Sequence, residues 1–508
     1  MLTISSVFKK KTKLNNNKLS MKKIENTKKE GRRDFIKKTS MGAAGFMIVP
    51  RHVLGGKDFV APSDKFNIVG IGAGGKGFSD LSACAKSPNA AVIAFCDVDD
   101  RQAVEAKKSW PDAKYYHDFR EMLNKHEKDI DGVTISTPDH MHAVAAYDAM
   151  QRGKHVYVQK PLTHDIYEAR VLTQAAEKYK VVTQMGNQGA SGDGVRKMKE
   201  MYDSGLIGMV ERVVCWTNRP IWPQALQVPQ GKLPVPSALN WDLWLGTAPY
   251  RDYNKGYHPF DWRGWDDYGT GALGDMACHI MDPVFRILPI KYPSSVECSV
   301  TGSYIGNFQE KDYSESFPDS SKIHFTYPRT DGPGEIKVAW MDGGIQPERP
   351  EGLGPDEEMG NWDGGCIFYG TKGTLMSDCY GDNPRLIPTR RMEYEEMPPE
   401  TEARVPEGHY VQWVNAAMAG YGNGVTSSPF SYAGPFTESI LMGNLALKAY
   451  NLKNPELESD NFWQGNKRFI GRKKLLWDGS KMEITNLAEA NQWVQRKYRG
   501  DWDFGTVG

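Results

Sequence analysis

Three glycines at fixed spacing stand between two short apolar runs near residue 70. Residues 66–71 read as a buried strand that leads directly into Gly72-x-Gly74-x-x-Gly77, and a helix can follow. A second apolar run ends in Asp97, at the spacing expected of an acid that binds a ribose. Glycine permits the tight turn, the close approach of a pyrophosphate and the packing of helix on strand. The sequence therefore predicts a dinucleotide-binding βαβ unit.

The residues of this turn and the acid after the second strand form the expected cofactor site. The pyrophosphate is expected at the helix N-terminus, where N–H groups are free. Asp97 is expected to accept hydrogen bonds from the adenine ribose and to repel a 2′-phosphate, with Asp99 and Asp100 adding to that repulsion. We therefore expect NAD rather than NADP, bound by Gly72, Gly74, Gly75, Lys76, Gly77 and Asp97.

Strands alternate with helices over residues 61–184. Apolar runs at 68–71, 92–96, 132–136, 155–158 and 181–184 are separated by helical patterns near 78–87, 99–108, 118–126, 141–152 and 165–179. This alternation predicts an α/β domain with a doubly wound parallel sheet of the Rossmann type. In such sheets the ligand lies outside the carboxyl ends of the strands, so the residues after each strand are the candidates for the site.

Polar residues follow three of these strands. Thr137, Pro138 and His142 come after the third strand, Lys160 after the fourth and Gln188 after the fifth. Pro161 holds the preceding lysine in extended backbone. We expect these side chains to converge on the nicotinamide end of the cofactor; the alternative for Lys160 is a solvated surface lysine.

The glycine motif, Thr137-Pro138…His142 and Lys160-Pro161, in this order, resemble the glucose–fructose oxidoreductase / inositol dehydrogenase family (Gfo/Idh/MocA) over about residues 64–450. The resemblance implies that Lys160 contacts the nicotinamide side and assists proton transfer at a substrate hydroxyl, and that His142 has a nucleotide-side role. It also implies a homodimer or homotetramer. The family commonly carries Glu where this chain has Gln159, so a carboxylate beside the lysine is missing.

The second domain, 185–450, is predicted to be α+β with a large, mostly antiparallel, open-faced sheet. Strand-like runs lie at 210–217, 295–303, 322–327, 335–340, 366–369 and 373–377, and helices at 193–204 and from 272. Residues 451–508 are predicted to be a C-terminal tail that wraps the nucleotide domain or a neighbouring subunit. Residues 1–60 are predicted to be a disordered basic leader.

Asp275, His279 and Asp282 lie on one face of the helix that starts near Ala272, because they are spaced i, i+4 and i+7. A carboxylate one turn away can orient an imidazole, which can then accept a hydroxyl proton. The pair resembles the family's Asp-x-x-x-His motif, so we predict His279 as acid/base and Asp275 as its partner. The alternatives are a helix cap with a core histidine, or metal ligands.

No catalytic metal is expected, because no HExxH or cysteine-rich spacing occurs and the seven cysteines form no CxxC pair. Substrate contacts are expected from the aromatic-rich segment 216–268. Its polar side chains can hydrogen-bond sugar hydroxyls while tryptophan covers the ring face; the alternative is packing of a long irregular loop. The candidates are Asn218, Arg219, Trp222, His258 and Arg263.

Arg32 and Arg33, with Phe35 two places on, precede a brief apolar run at 41–49. This pattern resembles a bacterial twin-arginine signal and predicts export to the periplasm; a disordered basic tail is the alternative. The run is too short to span a bilayer, so no stable membrane insertion is expected. Equal numbers of basic and acidic residues, 63 each, argue against a nucleic-acid partner.

Three functions fit the pattern. The first is an NAD-dependent oxidoreductase acting on a sugar, glycoside or polyol hydroxyl, with a tightly bound and recycled cofactor, because an exported enzyme has no reliable pool of soluble NAD. The second is an NAD-dependent glycosidase that works by transient oxidation and elimination. The third is a non-catalytic sugar- or nucleotide-binding protein.

Overall fold

A six-stranded parallel sheet forms the first domain in the computed structural model, which describes residues 65–457 and 461–503. The strand order is β3-β2-β1-β4-β5-β6, so the order reverses between β1 and β4. This confirms the predicted doubly wound sheet. The predicted leader and export signal lie outside the described residues. The strands are β1 Phe66–Ile71, β2 Ala90–Cys96, β3 Lys114–Tyr116, β4 Gly132–Ile135, β5 His155–Val158 and β6 Thr183–Met185.

Five helices connect these strands, and two of them begin at side-chain caps. Asp118 accepts a hydrogen bond from the Arg120 N–H, and Asp165 with Glu168 forms a capping box. The sequence missed β3, because three half-exposed residues carry no apolar run. The helices are α1 Lys76–Cys84, α2 Val104–Ser109, α3 Phe119–His126, α4 His142–Gln151 and α5 Ile166–Tyr179.

A nine-stranded sheet forms the second domain, in the order β15-β14-β13-β7-β12-β11-β8-β16-β17. Among these described strands only β12 and β7 pair in parallel, so the predicted mostly antiparallel sheet is confirmed. Its strands are β7 Val210–Thr217, β8 Ser295–Val300, β11 Ser321–Pro328, β12 Glu335–Met341, β13 Gly364–Gly370, β14 Gly373–Asp378, β15 Arg385–Ile387, β16 Leu475–Asp478 and β17 Glu483–Ile484; β9 Tyr304–Gly306 and β10 Gln309–Glu310 form a separate hairpin.

The second domain's longest helix runs along the inner face of this sheet and also packs on α5 of the first domain. It is apolar around most of its circumference, as expected of a helix buried between layers. The outer face is partly covered near β7 and β13 by Leu353 and Met359 of the 344–363 loop. The helices are α6 Asp193–Asp203, α7 Trp241–Leu245, α8 Gly271–Ile280, α9 Asp282–Ile287, α10 Arg391–Tyr394, α11 Gly408–Ala419 and α12 Phe430–Tyr450.

The C-terminal segment is part of the folded structure. β16 pairs with β8 at the edge of the second sheet, where the sequence predicted a tail. Residues 494–502 then return to the first domain, and we call them the C-terminal strap. Within residues 65–457 and 461–503, no helix combines the length and the apolarity that crossing a bilayer requires.

Candidate active site

A cleft of about 600 Å³ opens at the carboxyl ends of β1, β2, β4 and β5, where the strand order reverses. Both domains contribute to its walls, and it is the position expected for a ligand of a doubly wound sheet. Fourteen of the predicted site residues line it: Gly72, Gly74, Gly75, Lys76, Asp97, Thr137, Pro138, Lys160, Gln188, Arg219, His258, Arg263, Asp275 and His279. Gly77, His142, Asn218 and Trp222 do not.

The glycine turn is closed by contacts that leave no room for side chains. A Cβ on Gly72 would lie 2.5 Å from the Ser136 carbonyl oxygen, and one on Gly77 would lie 2.2 Å from the Gly72 oxygen. At Gly74 a Cβ would meet Gln102 at 2.6 Å, whereas Gly75, with φ of 50°, faces open space. A side chain at 74 would collide with Gln102, so glycine is required there. A side chain at 75 would meet no protein atom and would project into open space, so glycine there keeps that space free.

The start of α1 fits an anionic ligand. No side chain caps its N-terminus, and Lys76, its first residue, lies in the cleft. An uncapped helix start with an adjacent cation is a suitable place for a pyrophosphate. Burial alone would lower the pKa of Lys76, but Asp80 and Tyr410 raise it above its ordinary value, so the ammonium stays charged.

A buried carboxylate lies beside Gln159, although the sequence has no acid at that position. Gln159 Nε2 donates to Asp80 Oδ2 over 2.7 Å, and Ser136 Oγ donates to the same oxygen over 2.8 Å. The other oxygen, Oδ1, lies 2.5 Å from Lys76 Nζ. Asp80 is fully buried. The carboxylate missing at 159 is therefore present on α1, and the glutamine amide is its hydrogen-bond donor.

The acids after β2 are more constrained than the sequence predicted. Asp97 accepts the Ala73 N–H at 2.9 Å and the Asp99 N–H at 3.0 Å, which fixes its carboxylate at the edge of the cleft. Asp99 is paired with Arg101 and with His258 Nε2 at 2.8 Å. Burial would raise the pKa of Asp99, but these partners hold it well below its ordinary value. The pairing offsets the Asp99 charge, which leaves Asp97 as the candidate for repelling a 2′-phosphate.

His258 was predicted as a substrate contact. The structure places it instead at the end of the cleft near Asp97, where the adenosine is expected, and we call this the adenosine end. Its bond to Asp99 holds it beside the end of β2, next to Trp244. The segment that carries it also pairs with the loop after β2: the Asn240 N–H donates to the Val98 oxygen at 2.8 Å, and the Asp100 N–H to the Ala238 oxygen at 2.9 Å. These hydrogen bonds attach the segment between β7 and α8, which we call the insertion, to the end of the cleft near Asp97.

Lys160 and Asp275 meet at the end of the cleft opposite Asp97. Lys160 Nζ donates to Asp275 Oδ1 over 2.6 Å and to the Asp275 carbonyl oxygen over 2.7 Å. Arg263 Nε lies 3.7 Å from the same carboxylate. Burial would raise the pKa of Asp275, but the charges of Lys160 and Arg263 hold it below its ordinary value. We predicted that Asp275 orients His279 or binds the substrate; in the structure its carboxylate is bonded to Lys160.

His279 lies one turn further along α8, buried, with no hydrogen-bond partner for Nδ1 among the described residues. Burial and the positive charge of Lys160 hold the pKa of His279 well below its ordinary value, so the ring is neutral at neutral pH. Its ring packs edge-on against Tyr380, with the ring centroids 4.7 Å apart. A neutral, desolvated imidazole beside a lysine is able to accept a proton.

The predicted residues outside the cleft lie directly behind it. The ring nitrogens of His142 lie 2.8 Å from the Pro161 oxygen and 3.0 Å from the Thr137 oxygen, so this side chain joins the loops after β4 and β5. Trp222 packs edge-on against Phe260, which lines the cleft. Asn218 accepts from Arg219. Gly77 forms the closed turn described above.

Several residues that line the cleft were not among the predicted site residues, and Asp139, Tyr380 and Trp502 are three of them. Asp139 accepts from Thr270 Oγ1 at 2.6 Å; it lies within the strand-end segment that the sequence singled out, so position was a usable signal. Tyr380 follows β14, and Trp502 belongs to the C-terminal strap. Neither is near a motif, so no local signal identified them.

The strap is held to both domains by arginines. Arg496 Nε donates to Glu168 Oε1 at 2.9 Å, and Arg499 Nη1 donates to Asp242 Oδ1 of α7 at 2.7 Å. Trp502 stacks on Phe119, with ring centroids 6.0 Å apart. The strap therefore adds a tryptophan to the lining of the cleft beside Phe119, close to the start of α3.

The residues present fit a dinucleotide. Buried polar atoms of cleft-lining residues have no partner among the described residues, namely Thr137 Oγ1, Gln188 Oε1, His258 Nδ1 and His279 Nδ1. The cleft has an open, uncapped helix start for phosphates, a fixed carboxylate for the ribose, and a lysine with a histidine at the far end. Over the described part of the chain, no three His, Cys, Asp or Glu side chains converge as a metal site would require.

Two family models match consecutive parts of the chain. Residues 65–187 match the model described as "Oxidoreductase family, NAD-binding Rossmann fold", and residues 191–332 match "Oxidoreductase family, C-terminal alpha/beta domain". Together they cover more than half of the chain. The prediction of an NAD-binding domain is confirmed.

Similar curated proteins match about a quarter of the chain. Inositol 2-dehydrogenase of Salmonella typhimurium (strain LT2) is 31% identical over 147 residues, which are 28% of this chain and 43% of that protein. Glycosyl hydrolase family 109 protein 1 of Shewanella sp. (strain ANA-3) is 38% identical over 130 residues, which are 23% of this chain and 28% of that protein. The matches therefore span less than half of these relatives' length.

Among solved structures, levoglucosan dehydrogenase in complex with NADH and levoglucosan superposes with a TM-score of 0.51 at 17% identity. The superposition covers 75% of this chain and 96% of that one. At this identity the likeness shows a shared fold, which includes both domains.

Proposed function

Because the chain belongs to the Gfo/Idh/MocA family of NAD-binding oxidoreductases, we propose that it oxidises a hydroxyl of a sugar, glycoside or polyol with a tightly bound, recycled NAD. One observation carries this proposal. Lys160, 2.6 Å from Asp275, and the neutral imidazole of His279 lie together at the far end of a cleft whose other end is built for a nucleotide. This is the set of groups that removal of a hydroxyl proton needs.

The bound nicotinamide supplies the acceptor for the hydride that leaves the carbon. The chain's own groups handle the proton. His279 accepts the hydroxyl proton, for which its neutral state is required. Lys160 donates a hydrogen bond to the same oxygen, and Asp275 holds the ammonium in place. The carbon is oxidised by two electrons, the C–H and O–H bonds break, and a carbonyl remains.

The walls at this end favour a polyhydroxylated substrate. Arg263 lies 4.2 Å from the ring of Trp262, and both line the cleft together with Arg219. An aromatic face beside guanidinium donors can cover the C–H face of a sugar and bind its hydroxyls. The similarity to an inositol 2-dehydrogenase over 28% of the chain supports the same substrate class.

The proposal of a retained cofactor rests on the enclosure of the adenosine end. The insertion covers this end from the second domain, held by the Asp99–His258 pair, and the strap adds Trp502 from the C-terminus. Both elements must move before the nucleotide can leave. Slow release follows, because the movement breaks the Arg499–Asp242 pair and the Asn240–Val98 hydrogen bond.

The first test is to purify the protein without added cofactor, denature it and assay the supernatant for NAD(H). Stoichiometric NAD(H) supports a retained cofactor, and an empty protein with weak NAD affinity contradicts it. In the same preparation Trp502→Ala is expected to release the nucleotide at least tenfold faster, as followed by nucleotide fluorescence. An unchanged release rate would show that the strap does not hold the cofactor.

The catalytic assignment is tested by screening sugars, polyols and sugar pairs for reduction of the bound cofactor. Lys160→Met and His279→Ala are expected to lower kcat by about 10²- to 10⁴-fold while the NAD content stays the same. Lys128→Met, at an exposed lysine of the same domain, is the matched control. If either site variant turns over like the control, its residue has no role in proton transfer. NAD binding with no turnover of any carbohydrate would favour a non-catalytic binding protein.

A second function, an NAD-dependent glycosidase that works by transient oxidation and elimination, is favoured by the similarity to a glycosyl hydrolase family 109 protein. There, oxidation acidifies a neighbouring C–H, elimination breaks the bond to the aglycone, water adds, and the hydride returns. The same lysine and histidine would serve each proton transfer. Release of the aglycone from an aryl glycoside without net NADH would support this function, and accumulation of NADH would exclude it as the overall reaction.

We also propose export to the periplasm by the twin-arginine route, on the sequence of residues 32–49 alone. That route carries folded proteins, which suits an enzyme that folds around its nucleotide. Cell fractionation of the wild type and of the Arg32→Lys/Arg33→Lys variant is the test. Equal periplasmic recovery of the two proteins would contradict the proposed route.

A further inference from the structure

Tyr380 stands in a backbone conformation that tyrosine rarely adopts. It lies in a short helical turn at Cys379–Gly381, directly after β14, with φ of 68° and ψ of 7°. This is the left-handed region, which is unfavourable for a bulky L-residue and easy for glycine. Non-glycine residues held there concentrate at functional sites, where the side chain is the reason for keeping them.

The surrounding structure holds this turn in place. A Cβ on Gly189 would lie 2.9 Å from Tyr380 Cβ, and one on Gly194 would lie 2.2 Å from the Gly381 oxygen. The Asp378 N–H also donates to the Asp382 oxygen at 2.8 Å, which closes the loop. The turn at Tyr380 thus packs directly against Gly189 and Gly194, where no side chain could fit. This packing holds the strained conformation in place.

The side chain reaches the proposed reaction centre from the second domain. Its ring packs edge-on on His279, with the centroids 4.7 Å apart and the planes at 61°. Tyr380 lines the cleft, and no hydrogen bond joins its hydroxyl to another residue in the described ranges. Burial, with the nearby thiol of Cys379 and carboxylates, raises the pKa of Tyr380 to about 12, so the phenol remains a donor.

We propose that Tyr380 is a positioning residue for His279 and presents its hydroxyl to the substrate; this rests on the proposed function of the site. The ring closes one side of the imidazole to water and restricts its rotation. The hydroxyl supplies a donor at the substrate end of the cleft that Lys160 also lines. A glycine at 380 would allow the same turn without strain, so the conformation is accounted for by the side chain that it places.

The two roles separate in two variants. Tyr380→Phe keeps the ring on His279 and removes only the hydroxyl, so KM is expected to rise about tenfold with kcat and the pH profile preserved. Tyr380→Leu removes the aromatic edge and admits water, so kcat is expected to fall at least tenfold. The acid limb of kcat/KM should move to higher pH, because a better-hydrated imidazole protonates more easily. Tyr394→Leu, at an exposed tyrosine, is the control.

A measurement on the protein itself distinguishes this inference from the proposed function. NMR titration of the His279 ring, assigned with His279→Gln, is expected to show a higher pKa in Tyr380→Leu than in the wild type and Tyr380→Phe. The other titratable groups that face this ring stay the same in all three proteins: Lys160, Asp275, Lys76 and His409. Equal titration of His279 in all variants would overturn the positioning role, whether or not a substrate has been found. Unchanged KM in Tyr380→Phe would overturn the substrate contact.

Discussion

Gln159→Glu should destabilise this protein, although its relatives commonly carry glutamate at this position. Gln159 Nε2 donates over 2.7 Å to Asp80, which is fully buried and also accepts from Ser136 and Lys76. A glutamate at 159 would either lose that donor and face a second carboxylate, or remain protonated to keep it. Both choices cost free energy, and the less costly one sets the loss.

The magnitude follows from the ordinary pKa of glutamic acid, about 4.3. Holding the introduced side chain protonated at pH 7 costs about 4 kcal/mol, at about 1.4 kcal/mol per pH unit. If it ionises, a hydrogen bond to a charged group worth about 1.5–3 kcal/mol is lost and repulsion between two buried carboxylates is added. We therefore expect a loss of about 3–4 kcal/mol in the free energy of unfolding at pH 7.

The loss in the free energy of unfolding should grow as pH rises. The folded-state pKa of the introduced carboxyl group is raised above its unfolded value, so the penalty is absent below about pH 4.3 and grows as pH rises. Urea unfolding at pH 5, 6 and 7 measures it. Gln174→Glu, at an exposed helical glutamine, is the control and should change stability by less than about 0.5 kcal/mol.

A double variant completes the test. In Asp80→Asn/Gln159→Glu the amide and the carboxylate change places, so the hydrogen bond can form in the opposite direction. The loss in the free energy of unfolding should therefore be at most half of the sum of the losses in the two single variants. A Gln159→Glu protein as stable as the control at pH 7 would refute the bond between Gln159 and Asp80. A loss that is the same at all three pH values would refute the electrostatic explanation of it.

Three further outcomes are expected. Arg496→Met removes the cation that pairs with the buried Glu168 and should lower the free energy of unfolding in urea by about 3–5 kcal/mol. The exposed Lys497→Met should change it little, and a loss below about 1 kcal/mol in Arg496→Met would contradict the pairing. Asp97→Asn should weaken NAD binding at least tenfold in calorimetry but not NADP binding, and an equal loss for both would contradict the assignment. Burial lowers the pKa of His409 to about 4, so its contribution to the free energy of unfolding is complete above about pH 6.5 and is lost as pH falls toward 4. His409→Gln should therefore make the decline of this free energy with falling pH shallower by up to about 1.4 kcal/mol per pH unit. An unchanged slope would contradict the expectation.

Local patterns in the sequence were sufficient for the framework. Side chains repeat every 3.6 residues in a helix and every two in a strand, so the longer strands of both sheets and the shared face of Asp275 and His279 follow from spacing, whereas the short β3 and the C-terminal β16 do not. The glycine turn is local in part: Gly77 meets the Gly72 backbone within the same βαβ unit, whereas Gly72 meets Ser136, which follows β4. The parallel order then fixed which strand ends meet at the cleft.

The partners of these residues were decided by tertiary packing. Asp275 is bonded to Lys160, 115 residues earlier in the chain, and not to its helical neighbour His279. The carboxylate beside Gln159 comes from Asp80, 79 residues away, on another element. Spacing along one element fixes only the direction of a side chain, whereas the atom it meets depends on how two elements dock.

The residues farthest from any motif show the same limit most clearly. Tyr380 enters the cleft because a left-handed turn is held between glycines of a neighbouring segment, and Trp502 because arginines anchor the strap to both domains. His258 was placed on the adenosine side by its pairing with Asp99. The sequence by itself determined the two folds and the strand-end residues, since those depend on short-range periodicity. Only the tertiary structure decided which charges pair and what encloses the cofactor, because these contacts join segments that are distant along the chain.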